Sequence, residues 1–158
     1  DPLSNGVYNI AYSGTVTVPQ SCEINAGQTI LVDFGSLYSG GFNRAGAKPV
    51  SVRNKKFRVP VKCSGVNSQF NLILRLIATA DTHLNQAIAS DNPDVGVVVE
   101  TNDGAVLTPN DASSVVPFVT DDAGKANIAL QAYPVSTTGE IPAEGVFTAL
   151  ANLRVDFD

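Results

Sequence analysis

Along most of the chain apolar and polar residues alternate with a period of two, the signature of strands with one face buried and the other in water. Near the N-terminus Tyr8, Ile10, Tyr12, Gly14, Val16 and Val18 alternate with Asn9, Ala11, Ser13, Thr15 and Thr17. Ile30, Val32 and Phe34 repeat the pattern ahead of the Gly-rich turn GSLYSGGFNRAGAKP. Phe57, Val59, Val61 and Cys63 then share one face of a predicted strand, so the second cysteine points inward with the core residues. Phe70, Leu72, Leu74, Leu76 and Ala78 follow, with Ile73 and Ile77 on the opposite face and Arg75 between them, which predicts a central strand covered on both sides. VGVVVET (95–101) runs into Asn102-Asp103-Gly104, where Asp-Gly supplies the positive φ angles of a tight hairpin turn. Ala126, Ile128, Leu130 and Ala132 alternate up to Pro134, and a last strand is expected to begin at Gly145. The single helical expectation is DTHLNQAIAS (81–90), about two turns with Asp81 or Thr82 as N-cap, set as an excursion between strands.

Seven or eight short strands with turn signals between them predict an all-β protein, a two-sheet antiparallel sandwich of immunoglobulin-like layout. The chain has no Trp, so the Cys–Trp–Cys arrangement of antibody domains is missing. Its 158 residues suit one domain with a single core, and its 44% hydrophobic and 16% charged content is that of a folded protein. Two cysteines, Cys22 and Cys63, occur without a CxxC motif and with one histidine in the chain. Structural zinc needs about four Cys or His ligands, so a disulfide is the expected use. Closing a loop of this length is worth about 4 kcal/mol in the chain-entropy account. The chain opens at Asp1, which fits a mature, exported chain after removal of a signal peptide.

Charge narrows the function. A net charge of -5 argues against a nucleic-acid partner, because phosphate binding needs clustered Lys and Arg. The nearest approach to a basic cluster, RNKKFR at 53–58, reads as a solvated strand end. The most apolar stretch, FNLILRLIATA (70–80), is too short to span a bilayer and carries Arg75. No enzyme is expected. A Ser-His-Asp constellation would have to use His83, which sits in the polar stretch DTHLNQ. Asp91, Asp94, Asp121 and Asp122 lie in turn-like sequences where Asp favours the turn itself, and no calcium loop, phosphate loop or dinucleotide fingerprint is present. Neither a metal nor a cofactor is expected.

The two ends of the chain carry the most specific signal. In GVFTALANLRVDFD the positions Gly145, Phe147, Ala149, Ala151, Leu153, Val155 and Phe157 fall on one face, and Val146, Thr148, Leu150, Asn152, Arg154, Asp156 and Asp158 make the more polar other face. An apolar strand edge of that length needs a partner, since an unpaired one invites aggregation. Gly145 stands fourteenth from the C-terminal residue, apolar residues alternate after it, and the penultimate residue is aromatic. An alternating apolar segment with an in-phase glycine, Tyr8, Ile10, Tyr12 and Gly14, precedes Cys22, and DFGSL follows that cysteine. Taken together these features resemble the pilin subunits of the chaperone–usher family, at the level of layout over essentially the whole chain. Phe157 stands where family members usually carry Tyr, which keeps the ring and loses the hydroxyl.

The resemblance implies an incomplete immunoglobulin-like sandwich that lacks its last strand and is completed by a donor strand. Residues 1–15 would be the N-terminal donor-strand extension and 16–158 the pilin domain. Tyr8, Ile10, Tyr12 and Val16 would act as plugs, with Gly14 where the groove is too shallow for a side chain. The acceptor groove would be bordered by Gly145, Phe147, Ala149, Ala151, Leu153, Val155 and Phe157. The implied partners are neighbouring pilin subunits, a periplasmic chaperone and an outer-membrane usher, and the implied location is a fimbria on the bacterial surface. The resemblance favours a shaft or adaptor subunit supporting adhesion, with the host receptor unspecified. Two alternatives stand beside it: a single-domain adhesive tip subunit, and a self-contained secreted binding module whose N-terminal strand pairs with its own last strand.

Overall fold

The computed structural model describes residues 22–64 and 69–158, together with the backbone of residues 6–16. Ten strands among the described residues form two five-stranded sheets. They are β1 (Gly6–Val16), β2 (Cys22–Ile24), β3 (Ile30–Gly35), β4 (Lys55–Cys63), β5 (Asn71–Ala78), β6 (Ile88–Ala89), β7 (Val95–Thr101), β8 (Val115–Val119), β9 (Lys125–Ser136) and β10 (Thr148–Phe157). The first sheet runs β3-β1-β10-β5-β8 and the second β2-β4-β9-β7-β6. The architecture is the immunoglobulin-like sandwich that the alternation predicts.

The period-two pattern maps directly onto burial. Ile30, Val32 and Phe34 of β3, Val59, Val61 and Cys63 of β4, and Leu72, Leu74 and Leu76 of β5 all point into the core. Ile128, Leu130 and Ala132 of β9 and Ala149, Ala151, Leu153 and Val155 of β10 complete it. Leu74, Leu130 and Leu153 are fully buried, each worth about 2–3 kcal/mol relative to exposure. The Cys22–Cys63 disulfide joins two register partners of β2 and β4, closing the core at one end.

Three prolines sit inside strands, each where one edge of its strand is open. Pro117 is in β8, an edge strand. Pro60 of β4 lies just past Ile24↔Val61, the last pair with β2, and Pro134 of β9 lies past Lys55↔Ala132, the last pair with β4. A residue without a backbone N–H fits such positions, because no ladder bond is lost on the open side. The strand read from Ala126 to Ala132 accordingly runs on through Pro134, and β9 continues to Ser136 opposite β7.

Other expectations need correction. Residues 81–87 form no helix. The Asp81 carboxylate accepts hydrogen bonds from the backbone N–H of His83 and Leu84, and Ala87 N–H bonds back to Leu84 O. The capping interaction thus closes a turn, and the chain enters β6 instead of propagating a helix. This excursion covers the outer face of β7, where Ala87, Val98 and Val135 form a small second apolar cluster with Leu84, Val106 and Tyr133 around it. β7 is accordingly buried from Val95 through Val99. Gly96 belongs to this crossing, because a Cβ there would lie 3.0 Å from Ala87 Cβ and 2.9 Å from Thr137 Cγ2.

β5, in contrast, has one buried face. Ile73, Arg75 and Ile77 are half-exposed, so the strand is interior to its sheet without being covered on both sides. The 102–104 turn forms as predicted, with Gly104 at φ +93° and Thr101 N–H donating to Ala105 O. Its return limb is a single bridge, Glu100↔Val106, rather than a full strand.

Candidate strand-accepting edge at β10

β10 is the centre of the first sheet. On one side it pairs antiparallel with β5 in unbroken register from Ala151↔Ala78 to Phe157↔Leu72. On the other it pairs with β1, and this pairing is parallel: Val7↔Thr148, Tyr8↔Ala149, Asn9↔Leu150, Ile10↔Ala151, Ala11↔Asn152 and Tyr12↔Leu153. It is the single parallel pair among the described strands; every other ladder is antiparallel. β1 also pairs antiparallel with β3, Tyr8↔Val32 and Ile10↔Ile30 among the partners, so its backbone fills the space between β3 and β10.

The register places Tyr8, Ile10, Tyr12 and Val16 beside Ala149, Ala151, Leu153 and Val155, which are the buried residues of β10. Between Tyr12 and Val16 the ladder slips: three residues, Ser13, Gly14 and Thr15, intervene on β1 against Arg154 alone on β10. Gly14 lies in that break. The side chains of residues 6–16 fall outside the described residues, so the plug roles of Tyr8, Ile10, Tyr12, Gly14 and Val16 carry over as expectations only.

Of the acceptor residues named from sequence, Phe147, Ala149, Ala151, Leu153 and Val155 are all buried, and the Phe147 ring stacks on Phe34 of β3 at 6.5 Å. Two differ from expectation. Gly145 precedes the strand, in a bend with φ +138°, a backbone conformation that favours glycine. β10 starts three residues later because its entry is tied elsewhere: Thr148 N–H donates to the Asp91 carboxylate at 2.8 Å, and Asp91 N–H donates to Thr148 O at 3.0 Å. Phe157 is 42% exposed, with its ring 5.9 Å from that of Phe70 at the sheet's end.

On the outer face of β10, Arg154 stands directly opposite Arg75 of β5. Like charges so placed repel, and Asp156 relieves them. Its carboxylate accepts from Arg154 Nε at 3.1 Å and lies 3.8 Å from Arg75 Nη1. Sequence alternation placed Asp156 among the polar positions but gave no sign of its burial, which follows from lying under two arginines.

The residues weighed for catalysis are not assembled. The imidazole of His83 is largely exposed beside Asp81. Asp94 accepts from Thr138 Oγ1, a contact between distant segments, and Asp121 accepts from the backbone N–H of Ala123 and Lys125 as a turn-forming group. No cluster of three His, Cys, Asp or Glu side chains that could hold a metal occurs among the described residues.

This sandwich, with its disulfide and its terminal strand, is that of a known class: the family model described as Fimbrial protein matches residues 10–158, and the chain belongs to that family. It is a pilus protein, exported to the bacterial cell surface. Among its relatives, the type 1 fimbrin D-mannose specific adhesin of Salmonella typhimurium is 47% identical over 160 residues, covering 100% of this chain and 47% of the relative. Protein LpfD of the same organism is 34% identical, over 95% of this chain and 44% of its own length. The chain thus spans about half the length of these relatives. Among solved structures, the P pilus rod subunit PapA aligns with a TM-score of 0.66 at 14% identity, covering 89% of this chain and all of PapA. The adaptor subunit PapF aligns at 0.56 and 18%, covering 87% of this chain and 95% of PapF.

Proposed function

We propose that this domain is a structural pilus component that joins its neighbour by strand addition beside β10. The observation that supports the reading most directly is the parallel β1–β10 ladder. An added strand is held by main-chain hydrogen bonds, while alternate side chains supply the fit. The space between β3 and β10 takes such a strand, and here residues of the same chain fill it with a slipped register. In the assembled pilus a strand from another protein replaces it, supplied first by a periplasmic chaperone and then by the next subunit at an outer-membrane usher. The role is structural rather than enzymatic.

The half-length match to the relatives favours one position over the shaft or adaptor position. In this second reading the chain is the attachment half of a longer tip subunit, and the receptor specificity named for the Salmonella adhesin resides in the other half. Residues 1–15 then connect the halves, and the donor strand comes entirely from a neighbour. If instead the chain is a shaft or adaptor subunit, residues 1–15 donate to a neighbour's groove.

The two readings separate in one experiment. The oxidised chain lacking residues 1–16 is refolded, alone and with a peptide covering residues 5–18 or its Gly14→Asn variant, and thermal unfolding and peptide retention are followed. Strand addition predicts a large rise in Tm with retained peptide. Rejection of the Asn peptide marks residues 5–18 as a true donor, and equal acceptance of both peptides favours the connecting role. A truncated chain already as stable as the full one, indifferent to either peptide, would sink the strand-addition proposal.

A further inference from the structure

The outer face of the second sheet carries a row of cations that pilus assembly at β10 does not use. Along β4 the outward residues are Lys56, Arg58, Pro60 and Lys62, all exposed. Lys125 of β9 sits directly opposite Lys62, extending the row sideways. None of these four cations is in an ion pair: the ion pairs among the described residues are Arg75–Asp156, Arg154–Asp156 and His83–Asp81. In a chain of net charge -5, four of its ten Lys and Arg therefore stand together on one surface, and the exposed Glu23 of β2 is the carboxylate placed opposite Lys62 at the end of the row. From Lys56 to Lys62 the row is about 20 Å long and one strand wide.

At its lower end lies a hollow of about 610 Å³, bordered by Glu23, Asn25, Pro60, Lys62, Lys125 and Asn127. Asp121 also borders it, but its carboxylate is engaged by the backbone N–H groups of the 121–125 turn. The hollow thus offers two amides and one carboxylate suited to hydroxyl groups, on a floor that includes Ala26, Val61 and Ala126, immediately beside Lys62 and Lys125.

We propose that this face binds a linear sulfated polysaccharide, with sulfates along Lys56, Arg58, Lys62 and Lys125 and a sugar ring in the hollow. A protein partner fits the face less well. Protein interfaces are anchored by aromatic and apolar side chains and are depleted in Lys. Between the cations of this row lie Pro60, Asn127 and Ala129, and the exposed large apolar residues, such as Leu31, Leu150 and Phe157, are on neither β4 nor β9. A narrow single row also suits one polymer chain better than the broad surface of a nucleic-acid duplex.

The test uses the intact oxidised chain and heparin as the probe, with binding followed by calorimetry across a salt series. The wild-type chain binds a heparin oligosaccharide near physiological salt, with affinity falling steeply as salt rises, as charge-held polyanion binding must. The variant K56Q/R58Q/K62Q loses about tenfold or more in affinity. The variant R44Q/R53Q/K55Q, which removes the same charge from exposed cations off the row, loses less than about twofold by the same reasoning. Absence of wild-type binding overturns the proposal, as do equal losses in both variants. Equal binding of desulfated heparin overturns the role of the sulfates. Competition by poly-glutamate as effective as that by heparin overturns the polysaccharide assignment in favour of an acidic protein surface.

Discussion

β9 and β10 hold equivalent places, each the middle strand of a five-stranded sheet with an apolar face turned to the same core, yet they are held differently. β9 has antiparallel neighbours on both sides and an unbroken ladder to each. β10 has one such neighbour, β5, while its other side is filled by a parallel strand from the far end of the chain with a slipped register. Both strands bury their inner residues equally well, so burial does not distinguish them. The distinction lies in where the second set of backbone partners comes from: β9 finds both among neighbouring antiparallel strands, whereas β10 takes one from a parallel segment at the far end of the chain. Backbone groups demand partners in either case, and they accept a strand of either direction, which is what strand addition exploits.

The comparison can be broken at several points. The largest effect is expected from the staple of the second sheet. Replacing Cys22 and Cys63 with Ala should cost about 4 kcal/mol in denaturant unfolding and leave β2 the first strand to lose amide protection. Next, Leu130→Ala and Leu153→Ala should each cost about 3 kcal/mol in the full chain, because both side chains are fully buried. Hydrogen exchange after removal of residues 1–16 sharpens the contrast. The amides of Ala149–Leu153 should lose protection while those of β9 keep theirs; equal loss in both strands would remove the distinction drawn here.

Smaller effects concern the outer faces. Asp156→Asn should cost about 1 kcal/mol, since it leaves Arg75 and Arg154 opposed without a carboxylate between them, and adding Arg154→Gln should recover part of that loss. The smallest effect is a pH dependence near β9. Burial, then the hydrogen bond and charge of Glu100, raise the Tyr133 hydroxyl above its ordinary pKa of 10.0. The unfolded chain therefore releases this proton first. The stabilisation is fully present below pH 10 and is lost as pH rises beyond it, and Tyr133→Phe should flatten that alkaline slope in thermal melts.

Much of this was legible in the sequence because a pleated strand converts spacing into direction. The inward sets of β3, β4, β5, β9 and β10 were each visible as alternating apolar residues, and the disulfide as two lone cysteines. What escaped notice depended on contacts between distant segments. β8 carries Pro117 and a half-buried pattern, so nothing local marked it as a strand. The stretch from Asp81 has a fair helical N-cap, but its apolar residues Leu84 and Ala87 are spent on the outer face of β7. The bend at Gly145 follows from Asp91, more than fifty residues away, holding the entry of β10. At the candidate site, alternation showed that β10 needed a partner and suggested the N-terminal segment, whereas the direction and slip of that pairing are properties of the folded sheet.

The β1–β10 ladder also has a consequence in time. Val7 and Thr148 are register partners, but a ribosome makes the second about 140 residues after the first. At about 5–20 residues per second, the wait is roughly 7–28 s. Contacts so distant in sequence are also slow to form. Of the two ladders that β10 completes, the one to β1 spans the greater sequence separation and so has the longer opportunity to close on something else.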